Sequence, residues 1–139
     1  MMPSLNGRVT LILTVNDPES SARWYAGVFN MQTVSEYTDP ATRARNIFLR
    51  EPVSELDICL RNDPDSSSNR FNEANIGLDH AEFLVEDRSD LDAWVRHLDA
   101  LGVAHSGIKA PTYSPNAMIT LRDPDGIQLE LFWVGRQTT

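Results

Sequence analysis

Apolar and polar residues alternate from Arg8 to Val15: Val9, Leu11, Leu13 and Val15 are apolar, and Arg8, Thr10 and Thr14 fall between them, with Ile12 the one apolar member of the second set. A period of two marks a strand that buries one face and shows the other. The period then changes. After Asp17-Pro18-Glu19, the apolar residues Ala22, Tyr25, Val28 and Phe29 recur at helical spacing. The three opening residues suit a helix start, because Asp17 can accept from free amides, Pro18 needs no amide hydrogen in the first turn, and Glu19 sits at the positive end of the dipole. Short strands are predicted next at about 33–38, 45–50 and 56–61.

The same order then repeats. Val15, Asp17 and Trp24 recur as Val85, Asp87 and Trp94, and Asp79 to Asp87 reads as a second strand leading into a second acidic turn. In the second helix Asp87 or Ser89 can cap, Leu91, Trp94, Val95, Leu98 and Leu101 form the apolar stripe, and Gly102 stands where a left-handed C-cap belongs. Strands are predicted at about 103–108, 117–122 and 127–133. The stretch from Asn62 to Asn69 holds turn formers without apolar periodicity and reads as a connecting loop. The expectation is one α+β domain over 1–139: a βαβββ module at about 8–61, a linker at about 62–76, and a second βαβββ module at about 77–134.

A four-stranded module with one helix covers only one face of its sheet. Two modules are therefore expected to form a curled mixed sheet, with helices outside and an open, polar-lined cleft inside, either within one chain or across a homodimer. Composition narrows the partners of that cleft. Twelve Lys and Arg against 20 Asp and Glu give a formal charge of -8, which disfavours nucleic acid and anionic membrane. A single cysteine, Cys59, and an N-terminus without signal-peptide character favour a reducing cytoplasm. No apolar run approaches the length of a membrane span.

Three segments carry a family resemblance: Val15-Asn-Asp-Pro-Glu-Ser-Ser-Ala-Arg-Trp-Tyr25, Gly77-Leu-Asp-His-Ala-Glu-Phe-Leu-Val-Glu-Asp87 and Arg122-Asp-Pro-Asp-Gly-Ile-Gln-Leu-Glu-Leu-Phe132. Together they resemble the vicinal oxygen chelate superfamily, which includes glyoxalase I, extradiol dioxygenases and bleomycin-type resistance proteins. The resemblance implies the paired βαβββ fold. It also implies that metal ligands, where a member uses them, come from the first and last strands of the modules, at positions matching Thr10, a residue near Asp57, His80 and Glu130. His80 and Glu130 fit that pattern and would suit Zn, Fe, Mn or Ni. Thr10 departs from it, standing where a histidine is frequent, so a metal would need Asp57 or Glu82 as well.

Placing the alternating strands side by side predicts a ligand-binding lining of Thr10, Ile12, Thr14, Phe48, Arg50, Asp57, Cys59, Arg61, His80, Glu82, Leu84, Met118, Thr120, Gln128, Glu130 and Phe132. Trp24 and Tyr113 are added as stacking groups, with Tyr113 on a proline-flanked segment before the seventh strand that could form a lid. His97 and His105 lie outside the matched positions and are expected at the surface. Three readings follow, the last in rank a metal-free catalyst with Glu130 or His80 as general base. One is a metal-free, cofactor-free binder that sequesters an aromatic natural product or antibiotic. The alternative is a metal-dependent lyase, isomerase or dioxygenase using His80 and Glu130, which would then also be its catalytic residues.

Overall fold

The computed structural model describes residues 1–66 and 68–136; residue 67 of the expected connecting loop and residues 137–139 lie outside the described residues. The chain divides into two compact units, Met1–Ser68 and Asn69–Thr139. Each has the order βαβββ, so the α+β class and the repeated module stand as expected.

In the first unit, β1 (Thr10–Thr14) leads into α1 (Pro18–Phe29), followed by β2 (Gln32–Thr38), β3 (Arg45–Arg50) and β4 (Asp57–Asn62). The sheet order is β1-β4-β3-β2, with β1 parallel to β4 and the other neighbours antiparallel. The helix begins as its sequence dictates: the Asp17 carboxylate accepts from the Ser20 amide at 3.2 Å and Pro18 takes the first turn. It ends at Asn30, whose φ of 57° is the left-handed geometry that asparagine tolerates better than most residues. The helix covers one face of the sheet, where Leu13, Val15, Ile47, Leu49, Ile58 and Leu60 are buried against Tyr25, Val28 and Phe29. Each such side chain contributes roughly 1.5–3 kcal/mol by leaving water.

The second unit contains β5 (Ala81–Leu84), α2 (Arg88–Leu101), β6 (His105–Lys109), β7 (Ala117–Arg122) and β8 (Gln128–Trp133), in the sheet order β5-β8-β7-β6 with β5 parallel to β8. Here Asp87 is the N-cap, and its amide donates to the Asp90 carboxylate at 2.8 Å. Gly102 closes the helix at φ 68°, with its amide and that of Val103 donating to the Asp99 and Leu98 carbonyls. Leu91 and Leu98 are fully buried, as are Ile119, Leu121, Leu129 and Leu131 on the covered face of the sheet. Among the described residues no helix is long and apolar enough to cross a membrane.

One histidine departs from its expected surface position. The His105 side chain is only 10 % exposed, because a bulge in β6 at Gly107 (φ 69°) folds the ring back onto the protein. The Gly107 amide donates to Nδ1 at 2.9 Å, and Nε2 meets the Asp99 carboxylate at 2.7 Å. His97 is exposed, as expected.

Candidate metal centre

Strand register decides which side chains share the face that each helix leaves open. In the first unit three transverse rows result: Thr10, Asp57 and Arg50; Ile12, Cys59 and Phe48; and Thr14, Arg61 and Asn46, with Tyr37 beyond Asn46 on β2. Much of the polar capacity of this face is internally matched. Arg50 grips Asp57 through two bonds of 2.7 and 3.1 Å, and Arg8 lies 3.5 Å from the same carboxylate. The hydrogen bonds from Arg50 hold the Asp57 carboxyl below its ordinary range. A carboxylate engaged in this way has little left to offer an ion. Arg61 is forked by Asp63 at 3.0 and 3.1 Å and donates to Asn46 at 3.1 Å.

Cys59 is fully buried in the middle row, and burial pushes its thiol pKa up. Phe48 stacks on Tyr37, with ring centroids 6.1 Å apart and planes 16° apart. Tyr37 is absent from the lining drawn from the sequence. The bulge between Thr33 and Ser35 resets the alternation of β2, and a strand exposed along its whole length gives no apolar rhythm from which to read its faces. Trp24 belongs to the helix layer: it meets Tyr25 edge-on at 4.9 Å and Phe29 at 5.9 Å. Tyr113 projects from the turn before β7 and is highly exposed.

The second unit presents a different open face. One row is Glu82, Glu130 and Thr120; the next is Leu84, Phe132 and Met118. Gln128 begins β8 opposite Arg122, from which it accepts at 3.4 Å. His80 sits two residues before Glu82, so the alternation of the strand directs both to the same side. Its Nε2 lies 3.1 Å from Glu82 Oε1 and 3.6 Å from Glu130 Oε2, while Nδ1 meets Asp79 Oδ1 at 2.7 Å. Hydrogen bonds to Asp79 and Glu82 raise the His80 pKa, with the Glu130 charge adding to the effect.

One ligand atom from each of His80, Glu82 and Glu130 falls within 4.8 Å of the others. Three protein ligands, one imidazole and two carboxylates, match the donor count of open metal sites and suit a borderline or hard divalent ion. Asp79 completes the pattern, because a carboxylate on the far nitrogen of a ligating histidine fixes its tautomer and orientation. The residues therefore fit a divalent metal. They also show where sequence reasoning stopped short: it named Glu82 and Asp57 as alternative third ligands, and coordinates were needed to see that Arg50 occupies one of them.

Comparison with known proteins agrees with this architecture. A family model described as the Glyoxalase/Bleomycin resistance protein/Dioxygenase superfamily matches residues 7–131. A glyoxylase/bleomycin resistance protein/dioxygenase domain from Frankia sp. EAN1pec is 30% identical, with 96% of this chain and 100% of that one covered and a TM-score of 0.81. The fosfomycin resistance protein FosX from Listeria monocytogenes shares the fold at 20% identity, with 96% of each chain covered and a TM-score of 0.71. A mutant of that protein complexed with Mn(II) and 1S,2S-dihydroxypropylphosphonic acid is 19% identical over 92% of each chain, at a TM-score of 0.64. No curated protein matches the chain.

Proposed function

Because this chain belongs to the Glyoxalase/Bleomycin resistance protein/Dioxygenase superfamily, we propose that it is a divalent-metal-dependent enzyme acting on a small molecule that bears neighbouring oxygen atoms. The observation that carries this reading is the convergence of His80, Glu82 and Glu130 ligand atoms within 4.8 Å. A bound ion supplies Lewis-acid polarisation of the substrate oxygens. The chain's own residues supply the rest. Asp79 holds the His80 ring, and Leu84, Phe132 and Met118 offer an apolar bed beside the charged row for the carbon part of a substrate. The fold shared with a Mn(II)-complexed resistance protein makes Mn(II) the first ion to try.

Elemental analysis of protein purified without chelator tests this, followed by melting with added Mn(II), Fe(II), Ni(II) or Zn(II). About one ion per chain, lost in His80→Ala, is the expected result, in keeping with a single cluster of three ligands. An unaltered protein that neither retains nor responds to any of the four ions would refute the reading.

The Tyr37–Phe48 pair favours a second reading, a metal-free binder that sequesters a planar aromatic compound on the first sheet. Quenching of tryptophan fluorescence by aromatic antibiotics, abolished in Phe48→Ala and unaffected by metal, would support it over the first; no quenching would dismiss it. Both readings accommodate a homodimer, for which the exposed Ile12 on edge strand β1 and Leu84 on edge strand β5 speak. Light scattering that returned the mass of one chain would remove the dimer.

A further inference from the structure

Among the described residues, one buried side-chain polar atom has no hydrogen-bond partner: the Thr120 hydroxyl oxygen. Burying a polar group unpaired costs on the order of 1–3 kcal/mol, so its position needs a reason. That position is specific. Thr120 lies opposite Glu130 in the β7–β8 ladder, and Glu130 lies opposite Glu82 in the β5–β8 ladder. Directly opposed residues hold their Cβ atoms about 4.5–5.5 Å apart on one face, within reach of a threonine hydroxyl and a glutamate carboxylate. The Thr120 backbone makes no claim on the hydroxyl, since its amide donates to Ser106 Oγ at 2.9 Å. The Glu130 side chain is 13% exposed and meets His80 Nε2 at 3.6 Å, longer than a hydrogen bond. An unused donor therefore stands beside a loosely held acceptor.

We infer that Thr120 is a positioning residue for the ion site, a role that rests on the metal reading above. With a divalent ion held by His80, Glu82 and Glu130, the Thr120 hydroxyl would donate to the Glu130 carboxylate. A ligating carboxylate needs such an outer partner to fix its orientation, and loss of one typically weakens metal binding by about ten- to a hundredfold. In the metal-free chain the hydroxyl gains nothing from its burial. Its energetic return comes on loading.

The test uses the full chain, Thr120→Val, which keeps the shape and removes the hydroxyl, and Thr120→Ser, which keeps the hydroxyl. Mn(II) binding is measured by calorimetry, and melting is recorded without metal. Thr120→Val is expected to melt at or above the temperature of the unaltered protein, because an unpaired group has gone. Its Mn(II) dissociation constant rises about tenfold or more, while Thr120→Ser stays close to the unaltered value. Unchanged Mn(II) affinity in Thr120→Val overturns the inference and leaves the metal reading standing. Equal weakening in both variants also overturns it, because the methyl group would then be the part that matters. Should Mn(II) fail where Fe(II), Ni(II) or Zn(II) binds, the same comparison is read with that ion; failure of the unaltered protein to bind any of the four overturns the metal reading and this inference together.

Discussion

Two adjacent residues of β8 offer the sharpest test of which way the sheet faces. Leu129 is fully buried on the face toward α2, and Glu130 points to the open side in the row with Glu82 and Thr120. Leu129→Ala removes buried methyl and methylene groups and leaves a cavity, a change that costs about 3 kcal/mol or more at sites of this kind. Unfolding entropy near 2.1 cal/mol/K per residue over 139 residues amounts to about 0.29 kcal/mol/K, so the melting temperature should fall by about 10 °C. Glu130→Ala removes a carboxylate that makes no short hydrogen bond, and should shift melting of the metal-free protein by no more than about 3 °C, the equivalent of roughly 1 kcal/mol.

Added metal reverses the ranking. At a hundredfold excess of metal over the dissociation constant, binding stabilises by about 2.7 kcal/mol, or about 9 °C on the same scale. Leu129→Ala should keep that upward shift, and Glu130→Ala should lose it. Scanning calorimetry with and without Mn(II) reads all four values. A fall of about 10 °C in Glu130→Ala with its metal response intact would mean that the faces of β8 are reversed.

Two further outcomes follow from other parts of the chain. Cys59 is buried with its thiol pKa raised, so it should react with a thiol reagent such as dithionitrobenzoate only on unfolding in urea; rapid labelling of the native protein would contradict its placement. Glu73 is held by Arg122 at 2.6 and 3.1 Å, and these hydrogen bonds lower its pKa from 4.5 to about 2. A depressed carboxylate stabilises the fold above its ordinary pKa, and that contribution disappears as pH falls from 4.5 through about 2. Urea midpoints of the unaltered protein and Glu73→Gln should therefore differ above pH 4.5 and converge below it, whereas a constant gap would rule out the linkage.

The sequence made the fold legible because its signals were local and repeated. Leu13 of β1 and Leu91 and Leu98 of α2 are buried as the alternation and the apolar stripe predict, whereas Val9 and Leu101, at the ends of those patterns, are exposed; the caps at Asp17, Asp87 and Gly102 all have the geometry their residue types favour. Period-two reasoning also put His80, Glu82, Glu130 and Thr120 in one lining, and the order β5-β8-β7 makes their strands neighbours. It could not assign partners to charged side chains, since the Arg50 fork on Asp57 depends on register across β3 and β4. Nor could it foresee the two bulges, in β2 and β6, that decide where Tyr37 and His105 point. A bulge is one residue of surplus in a ladder, and single-chain periodicity holds no trace of the partner strand against which that surplus is counted.

The duplicated module has one consequence for stoichiometry. Counting along the matching strands β1 and β5, β4 and β8, and β3 and β7, the middle row Ile12, Cys59 and Phe48 is the sibling of Glu82, Glu130 and Thr120. In one copy those three stations are oily and a thiol is sealed away; in the other they carry two anions and a hydroxyl. Among the described residues the candidate ligands of an ion gather in only one of the twins, so on the metal reading saturation should come at one equivalent per polypeptide although the scaffold is built twice.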